Sequence, residues 1–205
     1  ELSISRVDYD NEVEENANKD DERGELQKLL IVRNSDSERL AVPLNNIVRI
    51  ERVPADKVKN VGSQMTYDYD GKSIALFKVD DVADISETQL SGQCFIVIFE
   101  ALGRHLGLLV REVIDSVEVV VEFDETTHKQ PGILGSAFIN DHLTLLIDLF
   151  GIVAAKKPQW LKKQGITVKE KEQEHSILVV DDSKFFVNQI SSFIDEAGYK
   201  PVKVM

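Results

Sequence analysis

Four histidines, one cysteine and a few carboxylate pairs are the residues of this chain that could do chemistry. His105, His128, His142 and His175 stand in no HxxxH or HExxH spacing, so no zinc site is expected. A single cysteine, Cys94, can form neither an intramolecular disulfide nor a CxxC metal or redox pair. No GxSxG turn is present to present a nucleophilic serine. Gly71-Lys72-Ser73 has the ending of a phosphate-binding loop. Its first glycine would fall at position 66, where Thr66 stands, and an apolar run follows where a helix N-terminus is needed. Asp70-Gly71 reads instead as a hairpin turn. Most carboxylate pairs, such as Asp80-Asp81 and Asp141 near Asp148, fall at turns and helix starts, where acids cap and solubilise. Asp181-Asp182 differs, because it directly follows the buried-type run 177–180. There the pair suits two roles: helix-start capping, or hard oxygen ligation of magnesium at the carboxyl end of a parallel strand.

The elements that must position these residues are mostly strands. Runs at 29–33, 40–42, 47–53 and 74–79 are short and rich in Val, Ile, Leu and Phe, and apart from one helical turn at 54–58 everything else to Val79 reads as β. Asn34-Ser-Asp-Ser-Glu38 and Asp70-Gly71 mark turns, the first through side chains that bond their own backbone, the second through a glycine that tolerates positive φ. A second cluster covers 93–99, 104–110, 117–123, 133–139 and 143–147, with tight connections at Leu102-Gly103 and Asn140-Asp141. Two groups of about five strands, without βαβ alternation, imply two small barrels and a mainly β fold. Asp148 is placed to cap a short closing helix over 148–155. A charged linker, solvated or helical in part, is expected over 156–174, and then strand, amphipathic helix, the Gly198 stop and a new strand: the order of a parallel α/β sheet.

Composition sets the outer limits. The 205 residues carry 24 basic and 36 acidic side chains, a formal net charge of −12, which disfavours nucleic acid and polybasic membrane binding. Ten acids and three bases lie in residues 1–25, a net −7, leaving −5 for the rest. Residues 1–26 are expected to be an acidic, disordered leader. Lone cysteine usage and the lack of a long apolar run point to a cytoplasmic chain.

Four stretches carry a resemblance: Arg39-Leu-Ala-Val-Pro-Leu-Asn-Asn-Ile-Val-Arg-Ile-Glu51, Asp68-Tyr-Asp-Gly-Lys-Ser-Ile-Ala-Leu-Phe-Lys-Val-Asp-Asp81, Leu102-Gly-Arg-His-Leu-Gly-Leu-Leu-Val110 and Leu134-Gly-Ser-Ala-Phe-Ile-Asn-Asp-His-Leu-Thr-Leu-Leu-Ile-Asp148. In this order they resemble the CheW-like module of bacterial chemotaxis over 27–155. His175-Ser-Ile-Leu-Val-Val-Asp-Asp-Ser-Lys-Phe-Phe186 resembles the opening of a response-regulator receiver domain, incomplete over 175–205. The resemblance implies two five-stranded SH3-like barrels followed by an α/β receiver fragment. Val42-Pro-Leu-Asn45 and Glu51-Arg-Val-Pro-Ala-Asp56 look most like the regulatory domain of a CheA-type hybrid histidine kinase, with a CheV-like adaptor as the alternative.

What the resemblance implies for function is binding without catalysis. The partners would be the cytoplasmic tip of a chemoreceptor and a CheW-like coupling protein or CheA, in receptor arrays at the membrane. Ile47 and Arg49 on one barrel and Val113 to Ser116 near the other would line the receptor groove. No cofactor is expected in this chain; Asp181 and Asp182 would hold magnesium only in an intact receiver. The coupling protein usually has an acid at the place of Arg49 and an arginine before the hairpin glycine, where this chain has Asp70. Arg49 and Asp70 would then either bridge with reversed sign or stand as two unrelated solvated charges. The receiver-like strand at 177–180, without its full sheet, must dock elsewhere, pair with another copy, or fray.

Overall fold

The computed structural model describes residues 26–121, 123–124, 126–163 and 176–204. Residues 1–25 of the acidic leader, the linker from 164 onward and His175 lie outside the described residues; Leu26, expected to end the leader, opens the first strand instead.

Thirteen strands are described, eleven of them in two sheets. β1 (Leu26–Arg33), β2 (Arg39–Pro43), β9 (Glu112–Val120), β10 (Ile133–Ile139) and β11 (His142–Ile147) form the first, in the order β10-β11-β2-β1-β9. β3 (Ile47–Pro54), β4 (Lys59–Val61), β5 (Gln64–Tyr69), β6 (Lys72–Phe77), β7 (Gln93–Ala101) and β8 (Arg104–Val110) form the second, in the order β3-β7-β8-β6-β5-β4. The mainly β fold and its two units are as expected, but the division of strands between them is not. The first sheet takes β1 and β2 from the early cluster and β9 to β11 from the late one. The second has six strands, where five were expected. The cause is pairing at a distance: β2 lies parallel to β11, and β6 parallel to β8. Spacing along the chain finds strands but not such partners.

Beyond β9 the chain returns to close the first barrel. Asp124 and Ser136 exchange backbone hydrogen bonds of 2.8 and 3.0 Å. The approach is so close that a Cβ on Gly135 would stand 2.1 Å from the Asp124 carbonyl oxygen, so glycine is required there. The three tight turns are also met: Asp70-Gly71, Leu102-Gly103 and Asn140-Asp141 all have positive φ. In the 34–38 turn the Ser37 amide donates to Ser35 Oγ at 3.1 Å, and Ser35 Oγ to Glu38 at 2.8 Å.

Strand alternation builds three cores from two sheets. On β1, Leu29 and Ile31 face the first barrel's interior, while Leu30 and Val32 face outward into a larger core between the barrels. On β7, Ile96 and Ile98 fill the second barrel, while Val97 and Phe99 enter the same central core. Burial on both faces explains the uninterrupted apolar runs at 29–32 and 94–99. Each such aliphatic side chain contributes roughly 1.5 to 3 kcal/mol by leaving water. The helix α1 (Leu149–Lys156) plugs this central core with Leu149, Ile152 and Val153. Its cap is the expected one: the Gly151 amide donates to Asp148 Oδ1 at 2.9 Å.

Part of the stretch expected as linker is folded. Residues Pro158–Lys163 form helix α2, with Leu161 buried and the Trp160 ring edge-on to Phe77. At the C-terminal end, β12 (Ser176–Val180) and β13 (Lys200–Val204) pair in parallel, joined by α3 (Lys184–Glu196). Ser183 caps α3 by accepting from the Phe186 amide at 3.3 Å. Val179, Val187 and Ile194 form a small core of their own.

Candidate partner-binding surface

β3 and β9 are the end strands of the hydrogen-bonded orders in their sheets. Each pairs on one side, β3 with β7 and β9 with β1, and each carries a register shift, between Ile47 and Arg49 and opposite Ile31 and Val32. Such irregularities twist an edge strand and re-aim its side chains. Ile47 and Val113 both pack, half-buried, on the central core between the barrels. The fold therefore brings these two candidate residues, 66 positions apart, to the rim of one core. Val48 beside Ile47 is 50% exposed. Ser116 is exposed further along β9, where its amide donates to the side chain of Asp115 at 2.8 Å.

Arg49 is exposed, but it does not bridge to Asp70. Its Nε lies 3.1 Å from Glu51 Oε1. Arg49 and Glu51 are two residues apart on one strand and so project from the same face, which makes this pairing the easier one. Glu51 is held in turn by the Tyr67 hydroxyl, which donates to Oε2 at 2.6 Å. That hydrogen bond, with burial and the adjacent negative charge, pushes the Tyr67 phenol up to about 12. Among the described residues no ion pair joins Arg49 to Asp70.

Asp70 lies elsewhere, in the β5–β6 turn with φ of 50°. It lines a cleft of about 730 Å³ with Tyr69, Arg104, His105 and Trp160. Tyr69 and His105 meet edge to face at 5.7 Å, and the Arg104 guanidinium sits 5.0 Å from the Trp160 ring centroid. Sequence reasoning missed this cleft, because a charged stretch carries no signal that its helix docks Trp160 against Phe77 and Arg104.

Asp181 and Asp182 follow β12 as expected. Asp181 Oδ1 already accepts the Ser183 amide at 2.9 Å, a turn that starts α3. Among the described residues no third His, Cys, Asp or Glu joins the pair to form a metal-holding group. Two carboxylates leave most positions of an octahedral magnesium unfilled, so no chemistry is routed through them. Cys94 is buried, donates weakly to the Val53 carbonyl at 3.6 Å, and has its thiol pushed up by burial, which makes it unreactive. No helix among the described residues is long and apolar enough to cross a membrane.

The comparisons with known proteins agree with this geometry. Among solved structures, the chain is similar to the scaffolding protein TtCheW from Thermoanaerobacter tengcongensis, with 16% identity and a TM-score of 0.52, covering 60% of this chain and 89% of that one. At that identity the likeness shows the fold. No curated protein matches the chain. The family model for the CheW-like domain matches residues 28–157, which span both sheets and α1, and the chain therefore belongs to the CheW-like family.

Proposed function

We propose that the two-barrel body is a non-catalytic coupling module of chemotaxis signalling, binding the cytoplasmic tip of a chemoreceptor and a CheW-like coupling protein or CheA. The observation that carries this reading is the shared position of Ile47 and Val113 at the rim of the central core, on two end strands, with exposed Val48 between Ile47 and Arg49. An apolar strip flanked by exposed charge is the ordinary composition of a protein contact surface. Ile47, Arg49, Val113 and Ser116 are its proposed contacts. Asp70, in the other cleft, is proposed as a contact for the second partner.

The finer reading is the regulatory domain of a CheA-type hybrid histidine kinase, in the cytoplasm at receptor arrays. It is supported by the wording at 42–45 and 51–56 and by the β-α-β unit of 176–204, which has the order of a receiver's opening. The same unit would serve a CheV-like adaptor; an ATP-binding domain encoded upstream selects the kinase.

The experiment is a pull-down with a soluble receptor-tip fragment and, separately, a CheW-like coupling protein. Ile47→Asp and Val48→Asp are expected to lose receptor binding by about tenfold or more, the range of an interface hot spot. Circular dichroism checks folding, and exposed Val48 guards against a packing defect at half-buried Ile47. Wild-type binding by Val48→Asp and by folded Ile47→Asp would overturn the assignment.

A further inference from the structure

Helix α3 has two working faces. Val187 and Ile194, seven residues apart, pack on its own strand at Val179. Phe186, Gln189 and Phe193 follow the i, i+3, i+7 spacing of a second face, and that face meets the two-barrel body. Phe186 packs on the first barrel's core, and Phe193 lies 5.5 Å from Phe150 of α1. Gln27 on β1 donates from Nε2 to Ser183 Oγ at 3.2 Å. Asn46, in the 3-10 turn Leu44–Asn46, donates from Nδ2 to Gln189 Oε1 at 3.3 Å. The Ser192 hydroxyl bonds the carboxylate of Asp148, the cap of α1, and Asp148 is only 2% exposed.

This contact is polar for a buried one. Gln189 Nε2 is enclosed without a hydrogen-bond partner, and undocking would return it to water and recover its solvation. Contacts of this polarity between parts of one chain resemble transient protein interfaces more than a domain core. The docked helix also reaches the proposed binding strip: Asn46 is directly followed by Ile47, the first residue of β3.

We infer that α3 is a detachable latch, a helix docked in cis on Gln27, Asn46, Asp148 and Phe150, which restrains the 46–49 stretch and opposes partner binding there until it is released. The inference rests on the proposed function only for the identity of the partner. Docking itself has a readout that needs no partner.

The test uses the full chain with Asn46→Cys and Gln189→Cys, joined by a short, reducible bis-maleimide; Cys94 is buried and serves as its own background control. The linked form is expected in high yield as a monomer, with slower amide exchange at 47–49 than the reduced form. A soluble receptor tip should bind the linked form about tenfold more weakly than the reduced one, a common size for coupling between sites. Phe193→Asp, which breaks the docked face, should bind at least as tightly as wild type. Failure of the link to form, or equal tip affinity of the linked and reduced forms, would overturn the latch. Efficient linking with no tip binding by any form would reject the binding function, and with it the gating, while leaving the cis contact standing.

Discussion

The Tyr67 hydroxyl and the Glu51 carboxylate, 2.6 Å apart, tie β5 to β3 across the second barrel. Neither strand is hydrogen-bonded to the other in the sheet order β3-β7-β8-β6-β5-β4, so side chains close the barrel where the backbone ladder does not. The second oxygen of Glu51 receives Arg49. The charge presented by Arg49 to a partner is therefore set within the second barrel, by a neighbour on its own strand.

Tyr67→Phe should remove this tie. Its loss is expected to cost about 1 kcal/mol in urea unfolding at neutral pH, the usual net worth of such a hydrogen bond. Because the phenol is raised to about 12 in the folded state, the stability that it supplies is complete below its ordinary value near 10 and is lost as pH rises through 12. Ultraviolet titration should show a late-ionising phase, and Tyr67→Phe should abolish it. A wild-type titration that Tyr67→Phe leaves unchanged would contradict the geometry.

Two glycine substitutions separate backbone from side-chain crowding. A Cβ at Gly135 meets the Asp124 carbonyl, which belongs to the closing bridge and cannot give way. Gly135→Ala should therefore cost more than about 3 kcal/mol or prevent folding. At Gly107 the nearest atoms are side-chain carbons of Leu76 and Ile96, at 2.5 and 2.7 Å. Both belong to fully buried core side chains, so Gly107→Ala overpacks that core and should cost about 1 to 3 kcal/mol. Thermal melts of both variants check the order; a wild-type melt for Gly135→Ala would deny closure of the first barrel.

Asp148 should give a distinctive pH dependence. Burial pushes its carboxyl up, against the opposing hydrogen bonds from Gly151, Ser192 and Phe150. The folded state thus holds the proton more tightly than the unfolded chain, and stability falls as pH rises from the ordinary carboxylate value through the raised one. Asp148→Asn keeps a capping side chain and should flatten that decline. Asp148→Ala should lose about 1 kcal/mol through the missing cap. Melting temperature against pH for the three proteins is the measurement, and parallel curves for Asp148→Asn and wild type would refute the assignment.

The strands and turns were legible because their signals are local. Asp70-Gly71 and Asn140-Asp141 carry residues that tolerate positive φ, and Asp148 precedes an apolar helical stretch. The partners of the strands were not legible, because the alternation that buries Leu29 in one core and Leu30 in another reads along the chain as one apolar run. Ile47 and Val113 were identified through resemblance, and only the fold brings them to a common core. Of the two alternatives for Arg49 and Asp70 the structure has the unbridged one, and the period-2 alternation of the 47–53 strand already put Glu51 on the same face as Arg49. Gln27 and Asn46 gave no signal at all; their role depends on a helix 143 positions beyond Asn46.

In the proposed function, partners meet the body where β3 and β9 border the central core. Amide hydrogen exchange of the full chain, with and without a soluble receptor tip, tests it most directly. Protection is expected at 47–49 and 113–116. Protection confined to the other cleft, at 66–75 and 100–106, or no protection at saturating tip, would contradict it.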